Sequence, residues 1–147
     1  MSEATLLVVE DNMDDFLLLK RAMRNAKLQN PLQHVDDGEK AIQYLSGTAS
    51  FDDRLRYPMP LIVLLDLKLP RRSGFEVLEW LRAQEGLRRL PVVVLTSSNQ
   101  DQDIKKSYDL GANSYLVKPG TFEDLIKLTQ VVDTYWVLCN KRAPMNS

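Results

Sequence analysis

The sequence predicts an α/β fold in which a single parallel sheet of five strands carries helices on both faces. Three observations lead there. Short, largely apolar runs recur at residues 5–9, 61–65, 91–95 and 114–117, with a brief strand at 33–35. The runs at 61–65 and 91–95 show no polar alternation, as strands covered on both faces require. Between the runs lie segments with apolar residues at helical spacing, the alternation of a doubly wound sheet with right-handed crossovers.

In chain order, residues 5–9 form the first strand and deliver Glu10-Asp11-Asn12 directly after it. Asp14 and Asp15 lead a helix over 16–26, acids at the positive end of its dipole and bases later. Residues 33–35 make a brief second strand, stopped by Asp36-Asp37-Gly38, and a helix runs from about Glu39 to Leu45 before Ser46-Gly47. Residues 48–60 carry charges, two prolines, Phe51 and Tyr57 without a clean period, and read as an ordered surface loop and candidate contact surface.

The third strand, 61–65, ends at Asp66, and Pro70 forbids easy continuation. Ser73 caps a helix whose apolar positions are Phe75, Val77, Leu78 and Leu81, with Trp80 flanking. The fourth strand, 91–95, delivers Thr96-Ser97-Ser98; a polar helix over 101–110 stops at Gly111. The fifth strand, 114–117, delivers Lys118-Pro119, and Thr121 caps a last helix from Glu123 to about Asn140. Residues 143–147 read as a frayed tail.

Strand order 2-1-3-4-5, the flavodoxin-like arrangement, puts the switch point between strands one and three, where such sheets bind ligands. Glu10-Asp11 and Asp66 end those two strands and should meet. Three converging carboxylates repel one another, and a divalent cation relieves that cost. Oxygen ligands of this kind suit Mg²⁺, which commonly bridges protein to phosphate. Lys118 offers a point charge for a phosphate and Thr96 a rotatable hydroxyl.

Composition narrows the field. With 147 residues, 44% hydrophobic and 27% charged, the chain fits one soluble domain over residues 1–147, with its core at about 5–139. Nineteen Lys and Arg against twenty Asp and Glu give a net charge of −1, which offers no electrostatic case for nucleic acid or an anionic membrane. No apolar run reaches transmembrane length, and residues 1–4 lack a signal-peptide pattern. One cysteine, Cys139, excludes an internal disulfide and suits a reducing cytoplasm. One His and one Cys exclude a His/Cys zinc cage within one chain.

From about Thr5 to Cys139 the chain resembles the receiver domain of two-component response regulators. Glu10-Asp11 matches the acid pair, Asp66 with Pro70 and Gly74 the phosphoacceptor and its loop, Thr96-Ser97 the hydroxyl and its small neighbour, Lys118-Pro119 the lysine and its cis proline. Tyr115 falls at the aromatic switch position. The long segment before strand three and the aromatic end of the last helix are similar to the stand-alone regulators paired with cyanobacterial phytochromes.

The resemblance implies that Asp66 accepts a phosphoryl group from a sensor histidine kinase, a phytochrome among the candidates. Asp11, Asp66 and the Lys68 carbonyl would bind Mg²⁺, with Glu10 acting through water. It also implies intrinsic phosphotransfer and autodephosphorylation rather than turnover of a substrate, and a switch coupling Thr96 to Tyr115. Lys68 departs from the Asn or Met frequent at its position, where the side chain helps set phosphoryl lifetime. No output domain is expected beyond the last helix, and signalling is expected through protein contacts. Val131, Val132, Tyr135, Trp136, Val137, Leu138 and Cys139 place apolar residues nearly all round that helix. A homodimer through helix four, strand five and helix five, with Val132, Tyr135, Trp136 and Cys139 on its face, is therefore expected.

Rival readings are weaker. A flavin carrier needs backbone donors after strand one, where Glu10-Asp11-Asn12 puts anions. A dehalogenase-like phosphatase wants a second acid at the place of Lys68. A phosphorylation-independent pseudo-receiver acting as an adaptor would not need the intact acid set. His34 and the methionines read as structural.

Overall fold

Alternation of apolar and helical segments produces the expected topology. The computed structural model describes residues 4–141 and 143–145. Its strands are β1 (Leu6–Val9), β2 (Leu32–Val35), β3 (Ile62–Leu65), β4 (Val92–Thr96) and β5 (Ser114–Val117). All pairings are parallel, in the order β2-β1-β3-β4-β5. The helices are α1 (Met13–Asn25), α2 (Gly38–Ser46), α3 (Gly74–Ala83), α4 (Asp101–Asp109) and α5 (Phe122–Val132).

The period of two along each strand sorts the core into two layers. Leu7, Val9, Val63, Leu65, Val92 and Val94 pack with Ala41, Leu45, Val77, Leu78 and Leu81 of α2 and α3. Their neighbours Leu6, Val8, Ile62, Leu64, Val93 and Leu95 pack with Phe16, Leu19, Met23 and Val132 of α1 and α5. Both faces of the central strands are thereby covered, which is why their sequences lack polar residues.

Side-chain caps start four of the helices. Asn12 accepts from Asp15 N, Asp37 from Lys40 N, Ser73 from Glu76 N and Thr121 from Asp124 N, each contact worth about 1 kcal/mol. Segment 48–60 is ordered: a 3₁₀ turn (Ala49–Phe51) leads into a cluster of Tyr44, Phe51 and Tyr57. Arg54 points inward and donates to the Tyr44 and Phe51 carbonyls, and the Tyr44 hydroxyl donates to Pro58 O. Asp53 Oδ1 accepts from the amides of Leu55 and Arg56. Leu55 rides on that turn, 98% exposed.

Where the chain enters β4 and β5, Arg82 uses all five guanidinium N–H groups. They donate to Gly111 O (twice), Arg88 O, Leu90 O and Asn113 Oδ1, at 2.7–2.9 Å. This fork ties α3 to the chain entering β4 and β5. Arg82→Lys is expected to leave most of those carbonyls unpaired, at a cost of about 3 kcal/mol. For a chain of this size the melting temperature should fall by roughly 6–12 °C. An unchanged melt would remove the clamp from the account of stability.

Three expectations need correction. The last helix does not run unbroken to Asn140: α5 ends at Val132 and a π-helical segment (Asp133–Cys139) follows. The wider turn resets the faces only of the residues after Val132. Val132 is only 1% exposed and belongs to the core, and Trp136 and Val137 pack against the same cluster. Val132 therefore cannot serve a dimer face, and Trp136 is half-buried, whereas Val131, Tyr135, Leu138 and Cys139 lie outside. Second, among the described residues no peptide bond is cis, so Lys118–Pro119 is trans. Trans is the ordinary preference of an X–Pro bond, and Lys118 N still completes the ladder to Thr96 O at 2.7 Å. Third, the tail is not wholly frayed. Met145 packs against the α2–α3 layer and Arg89 reaches Pro144 O; residues 146–147 lie outside the described residues.

Candidate functional site

Strand register assembles the site. Val9 lies level with both Val35 and Leu65, so the next residues of β1 and β3, Glu10 and Asp66, emerge side by side. Glu10 N donates to Val35 O and Asp66 N to Val9 O. On the edge side, His34 stacks on Phe16 at 3.9 Å, with Nε2 2.7 Å from Glu10 O. The single histidine thus steadies the end of β1, the structural part expected of it. From the other side, Thr96 pairs with Val117 and brings Lys118 to the same edge.

Carboxylate oxygens of Glu10, Asp11 and Asp66 lie within 4.8 Å of one another. Glu10 and Asp66 are buried and Asp11 is exposed at the mouth. Lys118 Nζ sits among them, donating to Glu10 Oε1 at 2.5 Å, Asp66 Oδ2 at 2.8 Å and Asp15 Oδ2 at 3.0 Å. Asp66 Oδ1 accepts from Leu67 N at 2.7 Å. Lys68, Thr96, Ser97 and Ser98 complete the pocket wall. Tyr115 lies farther out, its hydroxyl donating to Ser98 O at 2.8 Å, while Ser98 Oγ donates to Asp103 Oδ2 at 2.6 Å. The pocket and the aromatic position are thus joined through one short loop.

Crowding polarises the titration of the site. Burial pushes Glu10 up to about 7, the bond from Lys118 only partly offsetting it, and the Asp66 charge adds to the rise. Burial alone would lower Lys118, but its bonds to Asp66, Glu10 and Asp15 outweigh that and hold it above the ordinary lysine range. Burial also raises the Tyr115 hydroxyl.

Three oxygen donors from two strands, two of them buried, fit a hard divalent cation with several retained waters. The Lys68 carbonyl belongs to a loop that lines the same pocket. Since such a cation needs Glu10 ionised, its binding should expel a proton near neutrality. Below pH 7 the apparent Mg²⁺ affinity is expected to weaken by up to tenfold per unit of acidification, levelling off above about pH 8. The sign for folding is opposite. A carboxyl raised above its unfolded value near 4.5 makes the metal-free fold bind more protons, so that contribution declines as pH rises from 4.5 through 7. Calorimetry in buffers of different ionisation enthalpy checks the first effect; a proton-independent Mg²⁺ isotherm between pH 6 and 8 would contradict it.

Every pocket residue expected from the sequence is present at the sheet edge, and one was missed. Asp15 looked like an ordinary acid of a helix's first turn, yet it is a direct partner of Lys118. Glu10, expected to act through water, also bonds Lys118 directly.

The fold and pocket define a class: a doubly wound α/β protein whose switch point carries an acid cluster and a lysine, the equipment of a cation-assisted phosphate site. The family model of the response regulator receiver domain matches residues 6–130. The chain belongs to that family of two-component signalling proteins. It is 38% identical over 140 residues to the probable methanogenesis regulatory protein FilR2 of Methanothrix harundinacea, covering 92% of this chain and 85% of that one. It is 34% identical over 132 residues to the response regulator Rcp1 of Synechocystis, covering 90% and 88%.

Solved structures agree. The phosphorylated cyanobacterial phytochrome response regulator RcpA superposes with a TM-score of 0.88 at 31% identity, covering 96% of this chain and 99% of its own. The Mn²⁺-bound form of Rcp1 gives 0.84 at 32%, covering 95% and 99%. Response regulator RPA3017, in red light signaling of R. palustris, gives 0.91 at 36%, covering 95% and 98%. Among the described residues no helix is long and apolar enough to cross a membrane.

Proposed function

We propose that Asp66 accepts a phosphoryl group from a phosphohistidine on a sensor kinase, and that the modified surface signals through contacts with other proteins. One observation carries the reading: the Asp66 carboxylate meets the Lys118 ammonium at 2.8 Å inside an acid trio that fits a divalent cation. In the transfer, a carboxylate oxygen of Asp66 bonds to phosphorus while the phosphorus–nitrogen bond breaks, and the imidazole keeps the electron pair. Lys118 stabilises charge gathering on the equatorial oxygens. Asp11, Asp66 and the Lys68 carbonyl would hold Mg²⁺, with Glu10 beside it, and the cation supplies further charge neutralisation there. Attack by water on the acyl phosphate in the same pocket ends the signal, so the protein turns over no separate substrate.

RcpA, a cyanobacterial phytochrome response regulator, supports a phytochrome-type kinase as donor, and a cytoplasmic exchange goes with that reading. Thr96 is the hydroxyl positioned to follow the phosphoryl group, and Tyr115 follows Ser98, to whose carbonyl it is bonded. A net charge of −1 favours protein partners over nucleic acid.

Two copies pair through Val131, Tyr135 and Leu138, the outward apolar residues of α5 and the π-helical segment. This is a narrower face than the sequence indicated, on the expected side of the molecule. Sedimentation at micromolar concentration should give a dimer that Tyr135→Glu converts to monomer; a monomeric parent protein refutes the pairing. For the chemistry itself, incubation with acetyl phosphate and Mg²⁺ should add one phosphoryl group by intact mass. A protein that takes no label with either a small donor or a kinase would end the reading.

A further inference from the structure

We propose that Asp15 is a positioning residue for phosphoryl transfer: from the first turn of α1 it holds the Lys118 ammonium over Asp66. This rests on the reading of Asp66 as phosphoacceptor given above. Asp15 is the third residue of α1, its amide bonded to the cap oxygen of Asn12 at 3.0 Å. An acid at that position ordinarily folds back to accept the cap residue's own N–H, closing a capping box. Here Glu10 Oε2 takes the Asn12 N–H at 3.1 Å. Asp15 is released from the cap and reaches Lys118 Nζ at 3.0 Å, joining α1 to the end of β5.

An ammonium has three protons, and Lys118 directs one each to Glu10, Asp66 and Asp15. Glu10 and Asp66 belong to the trio that converges for a cation, and Asp15 lies outside it. A cation drawn to the trio competes with Lys118 for their oxygens, and phosphorylation converts Asp66 altogether. The contact with Asp15 competes with neither event, so it is the anchor that survives both.

A second observation points the same way. Glu10, Asp15 and Lys118 line both the acidic pocket and an adjoining groove walled by Leu18, Leu19, Leu95, Pro119 and Leu125. The Asp15–Lys118 pair divides the two. Without Asp15, the lysine stem has the groove to swing into and leaves the phosphoryl side. The bland account is an acid that merely favours a helix N-terminus, and it predicts an effect on melting alone.

The test compares wild type, Asp15→Ala and Asp15→Asn with acetyl phosphate at saturating Mg²⁺, alongside Mg²⁺ affinity by calorimetry and acetylation of Lys118 by an N-hydroxysuccinimide ester. Asp15→Ala should label about tenfold more slowly, within the loss a small misplacement can cause, while its Mg²⁺ affinity moves by less than about threefold. Asp15→Asn keeps an oxygen of the same reach and should recover most of the rate. In the metal-free protein, Lys118 of Asp15→Ala should acetylate several times faster than in wild type, to an order of magnitude set by its lost contact. Labelling of Asp15→Ala at the wild-type rate overturns the proposal. So does an equal loss in both variants that tracks a lower melting temperature. If wild type takes no label on Asp66, the phosphoacceptor reading fails instead, and the acetylation ratio alone still decides whether Asp15 holds Lys118.

Discussion

Asp66→Asn is expected to take no Mg²⁺-dependent label from acetyl phosphate, while its unfolding free energy should stay within about 1 kcal/mol of wild type. The amide lacks the anionic nucleophile, so the loss should be complete within detection. The fold is spared because two changes oppose each other. The bond between Asp66 and Lys118 is lost, but so is repulsion from Asp66 that helps raise Glu10. Oδ1 of the asparagine still accepts from Leu67 N, the 2.7 Å contact that shapes the strand end. Mg²⁺ affinity falls because one of three converging acids is gone. Intact mass with peptide mapping checks the result. Label that persists in this variant at the parent rate would assign the chemistry to another carboxylate.

Gly74→Ala is expected to cost about 3 kcal/mol or more and to damage the site at the same time. A Cβ on Gly74 would lie 2.2 Å from Asp66 O and 2.7 Å from Leu67 Cα. Those atoms are backbone, so no side-chain rotation relieves the clash. The first turn of α3 is also locked to the loop by Gly74 N donating to Leu67 O at 2.8 Å. The alanine must therefore push α3 outward or displace the end of β3 that carries Asp66. Urea unfolding and the labelling rate should both change. Gly86→Ala and Gly120→Ala serve as controls, since a Cβ there meets nothing within 4 Å and a stabilisation of about 0.5 kcal/mol is the ordinary effect. A Gly74→Ala protein with parent stability and parent labelling would show that the close approach positions nothing.

Much of the site was legible in the sequence because parallel pairing leaves little freedom. Once β1 and β3 are neighbours, the residues ending them must meet, and Glu10 with Asp66 follows from the apolar runs alone. Lys118 followed from β5 in the same way. Asp15 did not, since its direction depends on which oxygen claims the Asn12 amide. That is a contest between side chains two and three residues apart, and spacing does not decide it. The inward turn of Val132 was open to the same periodicity, since with Leu125, Leu128 and Thr129 it keeps the i, i+3, i+4, i+7 spacing of α5; the apolar residues crowded after it drew it onto the outer face instead. Only beyond Val132 does the π-helical stretch break the rule of 3.6 residues per turn. The trans bond at Lys118–Pro119 corrects an expectation taken from resemblance, which the residues themselves did not carry.

In the aromatic knot of Tyr44, Phe51 and Tyr57, the Tyr44 hydroxyl, the Arg54 guanidinium and the Leu55 turn amide find partners within the segment or on α2. Leu55 at the apex therefore contributes nothing to the folded interior. Exchange of that apex residue is expected to leave the folded interior, and the chemistry beside Asp66, as they are.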